Sequence, residues 1–349
     1  MRPELTVVSV ICTILVLIPL PWHWRARNIP TLSLIFWLTA VNFPRIISTI
    51  IWAGNVNDSA PVWCDIVIWL HIGANWGFGT SAIPMCRYLA QVSSPYHRIE
   101  NAREKRRRMV FEIFMCVVMP LIGMALFYVV QYHRYNIFED FGCIPTFYLG
   151  ILSVFLVNLP PVIFSLITLV YAAVALRWFI QRRTQFEAVL ESTNSGLTTN
   201  RYLRLMLFLI AMMLGGMAMT TYVLIDNIVD IGVHPWISWD ELHADWYSID
   251  QASRDLTPQS FWDRWMFVWY LVPVTSVAFF AFFGCVTELK TEYMGYFNFV
   301  KTKVFRIKPK FQPVLPVSRQ DGANAIESTT SIPVVVGSQS EVAVQALEK

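Results

Sequence analysis

Seven runs of predominantly apolar residues, each about as long as a bilayer crossing, constrain this chain more than any other feature. Hydrocarbon about 30 Å thick takes roughly 20 helical residues at 1.5 Å each. The runs fall at 5–22, 30–52, 63–90, 109–130, 147–179, 205–225 and 265–285. Only 15% of the 349 residues are charged, against roughly 25% in a soluble domain, which argues against a soluble enzyme. The expected class is an all-α membrane protein, a seven-transmembrane helix bundle spanning 1–300, followed by a flexible cytoplasmic tail at 301–349. The first run lacks a small-residue cleavage site and leads into Pro21-Trp-His-Trp-Arg-Ala-Arg-Asn28, so it reads as an uncleaved helix rather than a signal peptide.

Loop charge sets the expected orientation, because Lys and Arg are retained in the cytoplasm. Windows 23–29, 87–108, 177–204 and 288–310 hold 20 Lys and Arg with 6 acids, whereas 1–4, 53–62, 131–148 and 226–264 hold 4 with 12 acids. The amino terminus is therefore expected outside and the carboxyl terminus in the cytoplasm. The long acidic connection between the last two runs contains Trp236, Trp239, Trp246 and Trp262, and reads as folded. After Lys310 the composition turns to Ser, Thr, Val, Gln and Pro without amphipathic period, the mark of a flexible tail.

Ionisable residues at membrane depth mark functional sites by default, and here they are scarce. Arg45 either snorkels outward along its stem or serves a pocket; Glu112, beside Arg106–Arg108, pairs locally. So few charges do not suit a proton pump. The last run contains no lysine for a retinal Schiff base, and the six histidines lack ligand spacing. No metal, cofactor or nucleic acid is expected, and no hydrolase elbow or phosphate loop is present in the sequence. Gly73-x-x-x-Gly77 is a spacing that lets helices approach closely. Gly215-Gly216, flanked by Met212, Met213, Met217 and Met219, reads either as a hinge or as a seat for a neighbouring helix. Cys64 and Cys143 are the one cysteine pair on the expected outer side, where a disulfide is chemically permitted, with two free thiols as the alternative. Cys285, at the inner end of the last run, is a candidate lipidation site.

Seven helices, an outer amino terminus, a basic inner face and a loose tail suggest a receptor that signals to a G protein. The alternative from another class is a seven-span small-solute transporter or channel. Specific residues narrow this. Leu20-Pro-Trp-His-Trp-Arg-Ala-Arg-Asn28, Trp63-Cys-Asp65 and Ile83-Pro-Met-Cys-Arg-Tyr-Leu89 resemble the fungal mating-pheromone receptors of the a-factor class, which are class D G-protein-coupled receptors. So do Arg182-Arg-Thr-Gln-Phe186, Ser192-Thr-Asn-Ser-Gly-Leu197, Asn200-Arg-Tyr-Leu-Arg-Leu-Met206 and Phe282-Phe-Gly284 with Glu288 and Tyr293. The resemblance covers about 5–300 and is nearest to basidiomycete members.

It implies a plasma-membrane receptor for a peptide pheromone that ends in a farnesylated, methyl-esterified cysteine, coupled to a heterotrimeric G protein. Membrane lipids surround such a receptor, and a homodimer is compatible with it. Candidate ligand-binding residues are Trp69, Trp76, Trp265 and Trp269 for the prenyl chain, and Asp65, Tyr222 and Asp226 for the peptide. Arg201 and Arg204, at i,i+3 spacing, share a helix face with which a G protein can make contact, aided by Arg87.

Overall fold

The computed structural model describes residues 2–95, 100–181, 199–230 and 232–284. Seven long helices carry most of them: α1 Pro3–Arg25, α2 Ile29–Ile51, α3 Pro61–Ser93, α4 Ala102–Tyr128, α5 Ile151–Gln181, α6 Thr199–Asp230 and α7 Gln259–Phe283. Expectations for the 182–197 motifs, Cys285, Glu288, Tyr293 and the tail lie outside the described residues, as does the side chain of Arg201.

Each helix falls on one apolar run, and several run past it, but α4 stops at Tyr128 and α5 begins only at Ile151, four residues into the fifth run. A helix outlasts its apolar stretch where its terminal N–H groups find partners. At α4, Asn101 Oδ1 accepts from the Glu104 N–H (2.9 Å) and Glu104 Oε2 accepts from the Asn101 N–H (3.1 Å), a capping box. Proline shapes the interiors. The α1 ladder breaks between Leu17 and Leu20, around Pro19. Single π-helical turns at Phe114–Val118 and Val154–Asn158 directly precede the segments containing Pro120 and Pro160-Pro161. A proline has no N–H to donate and crowds the carbonyl four residues back, so the ladder widens for one turn.

The helices close into a bundle: α1 touches α2 and α7, and α6 touches α5 and α7. At its centre stands α3, packed on α2, α4, α5 and α6, with 20 of its 33 residues buried. The other six helices are long and apolar enough to cross a membrane. By contrast, α3 is rich in small and polar residues such as Gly73, Gly77, Gly79, Thr80 and Ser81, because its neighbours rather than lipid cover it. The Gly73/Gly77 notch seats Trp37 of α2: a Cβ on Gly73 would lie 2.6 Å from the Trp37 ring, and one on Gly77 would overlap the indole. In return, Trp76 of α3 lies flush on Gly123 of α4 and edge-on to Phe164 of α5, ring centroids 5.3 Å apart.

A small sheet that the all-α reading did not include caps one end of the bundle. Strands β1 (Asn136–Phe138) and β2 (Gly142–Ile144) form an antiparallel hairpin, and β3 (Gln251–Ala252) adds parallel to β1. Strands of two or three residues carry no readable alternation. Among the described residues nothing is seated on Gly215 and Gly216 of α6, since a Cβ on either would have no atom within 4 Å.

The two kinds of glycine should respond oppositely. Gly77→Ala, forced onto Trp37, should lower the melting temperature of detergent-solubilised protein, with overpacking costing about 1–3 kcal/mol. Gly216→Ala, in open space, should leave it unchanged or raise it, by up to about 1 kcal/mol of helix propensity. Differential scanning fluorimetry of the two variants measures both.

Candidate functional site

The hairpin end is built by ties between the 131–148 segment and its surroundings. Cys64, in the first turn of α3, is disulfide-bonded to Cys143 of β2, their Cα atoms 5.3 Å apart. The hairpin loop turns through Asp140 at φ 66° and Gly142 at φ 87°, the left-handed region that Asp tolerates and Gly adopts freely. Asp140 donates its N–H to Trp52 O (2.9 Å), and its Oδ1 accepts from the Gly54 N–H (2.9 Å). Gly142 leaves no room for a side chain, because a Cβ there would sit 2.7 Å from Ser48 and 2.8 Å from Trp52.

Arg134 grips Asp65 with both arms of its guanidinium, Nε donating to Oδ1 at 2.8 Å and Nη2 to Oδ2. That hydrogen bond is the main reason the Arg134 pKa is raised. Next to it, Tyr135 donates to Asp58 Oδ1 (2.9 Å). Burial first, then this bond, push the phenol pKa up, so Tyr135 stays a donor. The last connection joins the same layer: Arg134 N–H donates to Trp246 O (3.1 Å), and His133 Nδ1 meets Asp245 O at 3.1 Å.

Two cavities open from this layer. The larger, about 420 Å³, is lined by Asp65, Ile68, Trp69, Gln131, Arg134, Trp246 and Tyr247. It combines a charge pair with aromatic walls, a mixture suited to a ligand with polar and apolar parts. Tyr128, Trp239 and His243 extend its aromatic side, Tyr128 and Trp246 being 5.6 Å apart. The smaller, about 130 Å³, lies under β2 between α2, α3 and α7, with Arg45, His71, Trp265 and Trp269 on its wall.

The expected ligand residues therefore divide. Asp65 and Trp69 share the larger cavity, and Trp265 and Trp269 share the smaller. Trp76 lines neither and is buried in helix packing. Asp226 is bonded to Arg264 Nη1 (2.8 Å), joining α6 to α7, and Tyr222 meets Phe267 edge-on at 6.3 Å. Sequence reasoning missed Arg134, although it is the lone basic residue in the acidic 131–148 window, which was a legible signal for a partnered charge.

At the opposite end, Arg87 stacks on Phe111, 4.5 Å from the ring centroid, and Arg204 is half-buried near the start of α6. Tyr202 is fully buried there, stacked on Phe179, with its hydroxyl 3.3 Å from Ala175 O and 3.5 Å from Leu89 O. It fastens α6 to both α5 and α3. Glu112 pairs with Arg108 at 3.6 Å, and Arg108 also with Glu100 at 3.1 Å.

Comparison with known proteins gives a consistent picture. Residues 4–304 match the family described as Pheromone A receptor. The chain is similar to the Pheromone B beta 1 receptor of Schizophyllum commune, 37% identical over 310 residues, which cover 89% of this chain and 57% of that protein. It is similar also to Pheromone receptor 1 of Mycosarcoma maydis, 29% identical, covering 83% of this chain and 82% of that one. A third similarity is to the Pheromone a factor receptor of Saccharomyces cerevisiae, 28% identical over 64% of this chain and 48% of that one. The chain spans about half the length of the Schizophyllum relatives it matches.

The disulfide makes this end testable. Cys143→Ser should lower stability by about 2–5 kcal/mol and reduce the amount of receptor at the cell surface. Peptide mapping without reductant should recover residues 64 and 143 in one linked fragment; recovering both as free thiols would contradict the tie.

Proposed function

The chain belongs to the pheromone A receptor family, and on that footing we propose that it binds a farnesylated, methyl-esterified peptide pheromone at the hairpin end and activates a heterotrimeric G protein at the opposite end. Family membership makes it a multi-pass receptor of the plasma membrane rather than an enzyme. All seven long helices cross the bilayer in this reading, α3 within the shelter of the others. The hairpin end faces outside. A disulfide persists in an oxidising compartment, and the Cys64–Cys143 bond sits at that end; the opposite end carries, among the described residues, the basic stretches 23–29 and 100–108, of the kind that the cytoplasm retains.

The observation that carries the ligand assignment is the larger cavity, where the Asp65–Arg134 pair stands beside Trp69 and Trp246. A lone prenyl chain holds a peptide to a membrane only reversibly, so the ligand samples the bilayer surface and meets the receptor there. Its peptide portion contacts Asp65, the acidic last connection and the α6 end bearing Tyr222 and Asp226. The prenyl portion lies against Trp69 and the Trp265–Trp269 wall, with Trp76 holding α3 in place behind them. At the cytoplasmic end the G protein meets Arg87, Arg201 and Arg204, whose guanidiniums suit carboxylates and helix carboxyl termini. Releasing Tyr202 from Ala175 and Leu89 would let the start of α6 swing away from α5 and α3 toward the G protein.

Receptor and G protein reconstituted in liposomes test the proposal. A farnesylated peptide should accelerate nucleotide exchange, and its unprenylated counterpart should not; no acceleration by any member of a farnesylated panel would refute it. Reversing Arg201 and Arg204 to Glu should cut exchange by about tenfold or more, the scale of a lost interfacial charge pair, while peptide affinity stays within about threefold. Undiminished exchange would remove these residues from the G-protein contact.

A further inference from the structure

The smaller cavity is lined by a cation, Arg45, that no carboxylate pairs with among the described residues. Arg45 lies six residues before the end of α2, roughly 9 Å inside the hairpin end at 1.5 Å per residue. Its Nη1 donates to Trp269 O (3.0 Å), and its guanidinium lies 4.9 Å from the Trp269 ring centroid. A guanidinium has five N–H donors, and among the described residues no carboxylate pairs with this one. Across the same cavity, Trp265 Nε1–H is buried without an acceptor. Arg45 of α2 and Trp265 of α7 thus both line the cavity, and no acid lines it. Buried donors and charges cost free energy until they are matched, and within a membrane such a group marks a binding site.

We infer that this cavity is an acceptor subsite in which Arg45 and Trp265 donate to the terminal ester carbonyl of the lipopeptide, the carbonyl on the residue that bears the prenyl chain. The inference rests on the lipopeptide reading above and specifies how that ligand is oriented. Two features select this carbonyl over others in the peptide. About 130 Å³ is too small to enclose a whole farnesyl chain beside Trp265 and Trp269, so the group that reaches Arg45 is a small one. The walls beside the donors are the indoles of Trp265 and Trp269, which place the acceptor next to an apolar neighbour. On the proposed ligand the terminal ester adjoins the prenyl group. Arg45 therefore reads the modified terminus itself, and the peptide chain leads away toward Asp65.

A cycle of receptor and ligand changes tests this. Competition binding would compare the methyl-ester lipopeptide with an analogue that keeps the farnesylated cysteine side chain but ends without the carbonyl. The wild-type receptor should bind the ester about tenfold or more tightly, the scale of a hydrogen bond to a charged group. In Arg45→Met the two ligands should bind within about twofold of each other. Trp265→Phe removes the indole donor alone and should narrow the gap partway, which keeps the test open if Arg45→Met fails to reach the membrane. A full gap in both variants, or in Trp265→Phe alone if Arg45→Met is not delivered, would overturn the subsite while leaving the lipopeptide reading intact. A wild-type receptor that binds neither ligand would overturn both.

Discussion

Inside a bilayer, apolar side chains gain little by leaving lipid for one another, so helices associate where their surfaces fit closely. In this bundle that fit is concentrated on α3. Trp37 enters the Gly73/Gly77 notch, Trp76 lies on Gly123, and Phe164 presses on Gly79, where a Cβ would come within 2.8 Å of it. Large rings into backbone-deep notches fix both the spacing and the rotation of α2, α4 and α5 around α3. The direction in which Asp65 and Trp69 face, one or two turns along the same helix, follows from those contacts.

The two ends are then built on different principles. The hairpin end is fastened by bonds of several kinds: a disulfide, a two-armed ion pair, and the Asp140 bridge to the end of α2. Its polar lid keeps a fixed position over the cavities. The opposite end is held by ring contacts, Tyr202 stacked on Phe179 and Phe208 edge-on to Phe279 and Phe283, together with the Tyr202 hydroxyl and the Arg108 ion pairs with Glu112 and Glu100. Among the described residues that end has no disulfide, and α6 carries midway the Gly215-Gly216 pair, with no atom within 4 Å of a Cβ on either. In the proposed function the more firmly tied end binds the ligand and the other end signals.

Six of the helices were legible in the sequence because a helix long and apolar enough to cross a membrane satisfies its backbone internally and leaves a long apolar run. The notch at Gly73 and Gly77 was legible too, small residues being conspicuous in an apolar run. The sheet was not, since strands of two or three residues have no pattern of their own, and β3 comes to β1 from more than 110 residues away. Trp69 and Trp76 sit seven residues apart and looked like one surface, yet the close approach of Gly123 and Phe164 claims Trp76 for packing. Arg45 was ambiguous because snorkelling and pocket-lining look alike until the positions of Trp269 and Trp265 are known.

The account depends on the hairpin end facing outward. Tyr247, 81% exposed, lies at that end, and Lys105 is exposed at the opposite one. Single reporter cysteines, Tyr247→Cys and Lys105→Cys, can be placed in a background where Cys12, Cys86, Cys116 and Cys285 are replaced and the Cys64–Cys143 pair is kept. Each is then treated in intact cells with a membrane-impermeant maleimide. Tyr247→Cys should label at once, and Lys105→Cys only after permeabilisation. Labelling in the reverse order would place the disulfide, the charge pair and both cavities on the cytoplasmic side and contradict the account.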